Sequence, residues 1–110
     1  MPVRAVLVTL KLIAAAFLFA DIVAAADVAI VTQKGRSFSL SALEIVRGGV
    51  VRFNNDDKFV HQIYVDSPAM SFESDEQPPG TSVSISFPKP GTFEVRCHIH
   101  PKMLLKVDAR

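Results

Sequence analysis

Apolar and polar residues alternate with a period of two in several short segments in the second half of the chain. In the segment TFEVRC, Phe93, Val95 and Cys97 share one face of the expected strand, while the charged residues between them share the other. The segment TSVSISF alternates in the same way, with serines on its polar face. Both patterns predict strands that bury one face, and they direct the Cys97 side chain toward the core.

A third alternating segment, FVHQIYVD, places a histidine among apolar residues. Phe59, His61, Ile63 and Val65 fall on one face if residues 60–66 form a strand. The sequence therefore predicts an inward-facing His61 at the start of a strand. Taken alone, such a histidine is more often a hydrogen-bonded core residue than a metal ligand.

Short runs of β-branched and aromatic residues, separated by Gly or Pro, predict an all-β domain after the N-terminal segment. Gly48-Gly49 is a hairpin signal, Pro90-Gly91 supplies a turn, and the Pro-rich segment 67–80 is expected to be irregular. Six to eight short strands with such turns predict a β-sandwich. The predicted strands are residues 28–32, 37–40 continuing toward 43–46, 50–54, 60–66, 81–87, 92–97 and 103–107.

The first 26 residues have the pattern of a secretory signal peptide. A basic start at Arg4 precedes an apolar stretch, and three alanines ending at Ala26 supply small residues for cleavage. A transmembrane anchor is the alternative, but the uninterrupted apolar run covers only residues 12–20, against about 20 residues for a bilayer span. We therefore expect export, with residues 1–26 removed and one domain at residues 27–110.

Composition narrows the function of this domain. Without residues 1–26 the chain has ten basic and ten acidic residues, so no basic excess points to nucleic acid. Small exported domains usually gain stability from disulfides or metal, and a single cysteine excludes an internal disulfide. A metal site is therefore the natural candidate.

The segment CHIHPKM brings three potential metal donors together. Cys97, His100 and Met103 follow one another at intervals of three residues, and His61 supplies a second imidazole from another strand. Two imidazoles, one thiolate and a weak thioether form the trigonal set with a long axial ligand that electron-transfer copper uses.

Each of these residues also has a simpler interpretation. Cys97 can be a small buried hydrophobe, and Met103 can be the first core residue of the last strand. Met70 is the rival axial donor, although it lies in the Pro-rich segment. His98 is one residue from Cys97, so it should project oppositely, toward solvent.

The copper-loop pattern resembles that of the cupredoxins, and the Cys-x-x-His-x-x-Met spacing, with Pro101 directly after the histidine, is most similar to the amicyanin type. LEIVRGGVVRFNNDD and GTFEVRC resemble the family's strands before the first histidine and the cysteine. The family usually has Asn after that histidine, where this chain has Gln62.

The resemblance implies a Greek-key β-sandwich with one mononuclear type 1 copper site, held by His61, Cys97, His100 and Met103. It also implies a periplasmic electron carrier without substrate chemistry of its own. A monomer is the default expectation for a small, nearly neutral carrier. The implied partners are redox proteins, such as a c-type cytochrome and an amine or other dehydrogenase. Ile99 and Pro101 would form an apolar surround at the exposed edge of His100.

Three other functions use the same residues. A copper-delivery or copper-buffering module would need the ligands but no fast redox role. A structural zinc site would use the cysteine and histidines, although a thioether argues against zinc. An enzyme with Cys97 as nucleophile would need a histidine base and an orienting third group, and the sequence shows no such context.

Overall fold

The computed structural model describes residues 28–110, and this part of the chain consists of nine β-strands in two sheets. The all-β fold class is confirmed. The predicted signal peptide at residues 1–26 lies outside the described residues. Within residues 28–110, no helix is long and apolar enough to cross a membrane.

The two sheets contain four and five strands. The first has the order β2-β1-β4-β7, and the second has the order β3-β9-β8-β5-β6. The pairs β1/β4 and β3/β9 are parallel, and all other pairs are antiparallel. The strands are β1 (Val28–Lys34), β2 (Ser37–Phe38), β3 (Ala42–Ile45), β4 (Val50–Asn55), β5 (Ile63–Ser67), β6 (Met70–Glu73), β7 (Ser82–Ser86), β8 (Gly91–Cys97) and β9 (Leu104–Ala109).

The core lies between the facing sides of the two sheets. Strand β8 buries every second residue as its alternation predicts, and Glu94 between them is exposed. Phe53 is fully buried and packs edge to face on Phe38, with ring centroids 5.7 Å apart. The fully buried side chains of the core include Val31, Val51, Phe53, Ile85 and Phe87 from the first sheet, and Ile63, Val95, Leu105 and Val107 from the second.

Four predicted elements differ from the structure. The Gly48-Gly49 signal does not form a hairpin, because β3 belongs to the second sheet and β4 to the first. The strand predicted at 37–40 and continuing toward 43–46 is instead two strands, β2 and β3, in different sheets. Strand β5 begins at Ile63 rather than at residue 60, because His61 forms an isolated bridge to Gln77 instead of continuing the ladder. Phe59 is consequently exposed, although the alternation placed it on the inward face. Strand β6 lies in the segment predicted to be irregular. It pairs with β5, but prolines on either side of the segment suggested a loop.

The ends of β1, β4 and β8 position the residues of interest. Because β1 and β4 run parallel, the turn after Lys34 lies at the same end as the loop that follows Asn55. Ile63 pairs with Cys97, which brings the start of β5 beside the end of β8. Three connections, at residues 35–36, 56–62 and 98–103, therefore meet at one end of the sandwich.

Replacement of Phe53 by alanine should lower the free energy of unfolding by about 3–5 kcal/mol, because it leaves a cavity between the sheets. Urea unfolding of the metal-free protein measures the change. Val46→Ala is the control, since that side chain is 62% exposed and should change the stability by less than about 0.5 kcal/mol. Equal effects of the two substitutions would contradict this position of the core.

Candidate metal centre

Three donor atoms converge at this end of the sandwich. The Nδ1 atoms of His61 and His100 lie 3.1 Å apart, and Cys97 Sγ lies 3.7 Å and 3.9 Å from them respectively. His61 and Cys97 are buried, and His100 is half-buried. The structure thus brings together three of the four residues predicted as ligands.

The separations suit a trigonal metal site. With bonds of about 2.0 Å to nitrogen and 2.3 Å to sulfur, an ion in the plane of three ligands separates the nitrogens by about 3.5 Å and each nitrogen from sulfur by about 3.7 Å. The observed separations of 3.1, 3.7 and 3.9 Å are close to these values. Two imidazoles and a thiolate in this arrangement fit a mononuclear type 1 copper site.

A buried carboxylate determines which nitrogen of the His61 ring carries the proton. Asp57 Oδ2 lies 3.0 Å from His61 Nε2, and both side chains are nearly inaccessible to solvent. A carboxylate accepts a proton donated from Nε2, which leaves the lone pair of Nδ1 directed at Cys97. This contact therefore selects the tautomer that a metal ligand requires.

Hydrogen bonds keep Asp57 ionised despite its burial. Burial raises the pKa of Asp57, but the backbone N–H groups of Arg36 and Lys58 and the side chain of His61 lower it to about 2. The N–H groups of Arg36 and Lys58 donate to its two oxygens at 2.8 Å and 2.9 Å. The carboxylate is consequently a fixed negative charge behind His61 at neutral pH.

Backbone groups next to the ends of β5 and β8 contact the Cys97 sulfur and tie the two ligand segments together. The backbone N–H of Gln62 points at Cys97 Sγ, 3.4 Å away, and the N–H of His98 donates to the carbonyl of Gln62 at 2.9 Å. The Gln62 side chain donates to the carbonyl of Ser74 at 3.1 Å. Backbone contacts therefore join the two segments although Gln62 replaces the asparagine that is usual in cupredoxins.

His100 forms the outer edge of the centre. Burial lowers the pKa of His100, and the charges of His61 and Arg36 lower it further, while Asp57 opposes them. A lowered pKa keeps the imidazole neutral, as metal ligation requires. The Phe59 ring meets His100 edge to face, with centroids 6.0 Å apart, and covers one side of it.

The structure separates the two methionines that were candidates for the axial position. Met103 is buried, and its backbone N–H donates to the carbonyl of His100 at 3.0 Å, so it belongs to the ligand loop. Met70 pairs with Ser67, whereas Cys97 pairs with Ile63. Ser67 and Ile63 are four residues apart on β5. Four residues of strand span about 13 Å, which argues against Met70 as a ligand.

His98 lies outside the centre, as its position next to Cys97 predicts. Its side chain is 43% exposed and contacts Glu73 at 3.2 Å. The ring stacks on Tyr64 with centroids 3.8 Å apart and an angle of 10° between the planes. The third histidine of the chain therefore belongs to the outer surface of the second sheet.

Asp57 is the functional residue that the sequence analysis did not identify. The only available signal was its position four residues before His61, in the polar run NNDDK, which is typical of an exposed turn. Asn55 explains why the turn folds inward. Its side chain accepts from the N–H of Asp57 and donates to the carbonyls of Phe59 and Gln77, each at 2.9 Å.

Comparison with solved structures identifies the fold. A domain-sized part of a copper-containing nitrite reductase from Thermus scotoductus is 29% identical over 74% of this chain, with a TM-score of 0.68, and the match spans only 22% of that enzyme. A purple cupredoxin from Nitrosopumilus maritimus is 22% identical, with a TM-score of 0.67, over 74% of this chain and 99% of its own. Amicyanin from Paracoccus versutus is 20% identical, with a TM-score of 0.70, over 78% and 84% of the two chains. No family model and no curated protein matches the sequence.

Replacing Asp57 by asparagine should weaken metal binding about 10- to 100-fold, because the His61 ring loses the charged acceptor that orients it. Competition against a chelator, with Cu(I) and with Zn(II), measures the affinity.

Asp56→Asn is the matched control, since Asp56 is the exposed neighbour in the same turn. It should leave the affinity unchanged. Equal affinities of the two variants would show that the Asp57 contact does not position His61.

Proposed function

Because the chain has the cupredoxin fold and its His-Cys-His cluster fits a type 1 copper site, we propose that it is an exported, periplasmic electron carrier. One copper ion would be held by His61, Cys97, His100 and Met103. The observation that supports this most directly is the convergence of two imidazole Nδ1 atoms and one thiol within 3.9 Å. When bound, copper supplies a one-electron couple at this position.

The surrounding residues suit a carrier because hydrogen bonds within the protein hold the donors. Asp57 orients the His61 ring, the backbone N–H of Gln62 approaches the sulfur, and the backbone bridge to Gln77 holds the main chain of His61. Ligands held by the protein cannot rearrange freely when the charge of the ion changes. A small rearrangement between oxidation states favours fast electron exchange.

The accessibility of the donors supports electron transfer over substrate chemistry. Cys97 is only 1% exposed, so a substrate cannot reach its sulfur as a nucleophile would require. His61 is fully buried behind it. His100 is the donor nearest to solvent, so electrons would enter and leave through its edge. We propose that the protein performs no reaction on a substrate of its own.

The same geometry bears on the choice between carrying electrons and delivering copper. A delivery protein must release its ion to an apo-partner, which needs donors that can reach solvent. Here the buried thiol and the buried His61 leave only the half-buried His100 accessible. This supports a retained ion. The redox partners that we expect from the resemblance are a c-type cytochrome and an amine or other dehydrogenase.

Addition of Cu(II) to the metal-free protein comprising residues 27–110 should produce an intense blue thiolate-to-copper charge-transfer band. Cys97→Ser should abolish the band, because the only thiol of the chain is lost. His98→Gln should retain it, since that imidazole lies on the outer surface. A colourless wild-type product, or a band that survives Cys97→Ser, would rule out the type 1 assignment.

Met103→Leu should retain the blue colour and raise the reduction potential, because leucine fills the buried position without donating electrons to copper. Met70→Leu is the control and should change neither property. Protein-film voltammetry together with the visible spectrum makes the measurement. A Met103 variant with an unchanged potential would contradict an axial role.

Electron exchange with a c-type cytochrome, followed by stopped-flow absorbance, should be fast while the protein keeps its copper. Incubation with a metal-free copper acceptor, followed by gel filtration, tests the delivery role. Slow exchange combined with transfer of copper to the acceptor would replace the carrier by a delivery function.

A further inference from the structure

The exposed edge of His100 lies in an apolar surface with cationic groups around it. This surface, the mouth, consists of Phe59, Ile99, His100 and Pro101. Phe59 is 38% exposed and Ile99 is 42% exposed, and both adjoin His100. A shallow depression beside His100 is lined by Ile99, His100 and Pro101 together with Arg36 and Lys102. Apolar residues grouped around a donor that reaches solvent suit a contact surface.

Arg36 is held beside the mouth by its backbone as well as by its side chain. It has a φ of 56°, in the left-handed region that a non-glycine residue seldom adopts. Its N–H donates to the buried Asp57 at 2.8 Å, which compensates for this conformation. Its guanidinium lies 4.0 Å from the centre of the Phe59 ring, in a cation–π contact.

Further charges near the mouth are mostly positive. Lys102 lines the same depression as Arg36, and exposed Lys58 directly precedes Phe59. The carboxylate of Asp57 is buried and paired with His61, so it does not face a partner. Asp56 is the exposed acidic residue of this loop. Three exposed cations against one exposed carboxylate leave a net positive rim.

The acidic groups of the neighbouring segment lie elsewhere. Glu73 ends β6 and contacts His98 on the outer surface of the second sheet. Asp75 and Glu76 are exposed in the connection that leads to β7. The depression formed by Asp75 and Glu76 shares no residue with that beside His100. Arg36 and Lys102 therefore line one depression and Asp75 and Glu76 line another, although the whole domain is nearly neutral.

We propose that the mouth and its cations, Arg36, Lys58 and Lys102, dock a redox protein that presents carboxylates around the exposed edge of its own redox centre. This inference rests on the proposed electron-carrier function and adds the charge of the partner. Apolar contact at the centre brings His100 close to the partner, and complementary charges at the rim select and orient it. A partner with a basic surface around its redox centre would be repelled by the same cations.

Arg36 should contribute more to this selection than a lysine on a free side chain. Its stacking on Phe59 and its tethered backbone fix the position of the charge before the partner arrives. A fixed charge loses little conformational entropy on docking. Charges of one sign around a reactive edge raise the rate of encounter with oppositely charged partners at low salt.

Electron exchange with two small probes of opposite charge tests the proposal. The copper-loaded protein is first reduced, and its rate of oxidation by each probe is measured from low ionic strength upward. The rate with anionic hexacyanoferrate(III) should fall as salt is added, and the rate with cationic tris(phenanthroline)cobalt(III) should rise. Arg36→Gln combined with Lys102→Gln should slow the first reaction by at least about threefold and accelerate the second. The matched control is Lys89→Gln combined with Lys106→Gln, which removes two exposed cations away from the mouth and should change neither rate.

Arg36→Lys separates the charge from the stacked geometry. It keeps the positive charge and should retain most of the preference for the anionic probe. An unchanged blue band in all variants shows that they remain folded with copper bound. Equal salt dependence for the two probes, or equal effects of the mouth and control pairs, would overturn the proposal.

Binding can also be located without any electron transfer. Paramagnetic hexacyanochromate(III), a redox-inert anion, should broaden the amide NMR signals of Arg36, Phe59, Ile99 and Lys102 in the metal-free protein. Hexaamminechromium(III), a cation of similar size, should broaden those of Asp75 and Glu76 instead. Failure to form the blue site would overturn the proposed carrier function but not this charge pattern. A blue protein whose mouth does not bind the anion would overturn the docking inference alone.

Discussion

The buried contact between Asp57 and His61 is the interaction on which the rest of the centre depends. An isolated buried carboxylate is unfavourable, so it requires donors from the surrounding backbone. Those donors come from Arg36 in the β1–β2 turn and from Lys58 in the β4–β5 connection, while His61 supplies the third. One carboxylate therefore joins two loops and a ligand.

The surrounding contacts also explain how the protein holds the three donors in place. The amide of Asn55 folds the loop inward, the bridge between His61 and Gln77 fixes the histidine backbone, and the pairing of Ile63 with Cys97 sets the distance to the thiol. These contacts use polar groups in a buried region, where each unpaired group is costly. Their hydrogen bonds maintain the geometry of the site, whereas the apolar core between the sheets provides most of the stability of the fold.

The sequence predicted those features that depend on a repeating or closely spaced pattern. Alternation identified the inward faces of β7 and β8, and the three-residue spacing after Cys97 brought His100 into the loop beside it. Asp57 was not predictable in this way, because a carboxylate in a polar turn turns inward only through the hydrogen bonds of Asn55. Strand β6 was missed because its stability comes from pairing with β5, whereas its flanking prolines indicate a loop.

The same carboxylate connects the inner ligand with the outer contact surface. Arg36 donates its backbone N–H to Asp57 and places its guanidinium on Phe59, whose ring in turn covers His100. The charge at the mouth and the orientation of His61 therefore depend on one buried group. A substitution that moves Asp57 would be expected to displace both the metal donor and the docking cation, whereas changing the Arg36 side chain leaves its backbone bond to Asp57 intact. The surface charge can therefore change during evolution without disturbing the ligands, since the bond that positions the arginine does not involve its side chain.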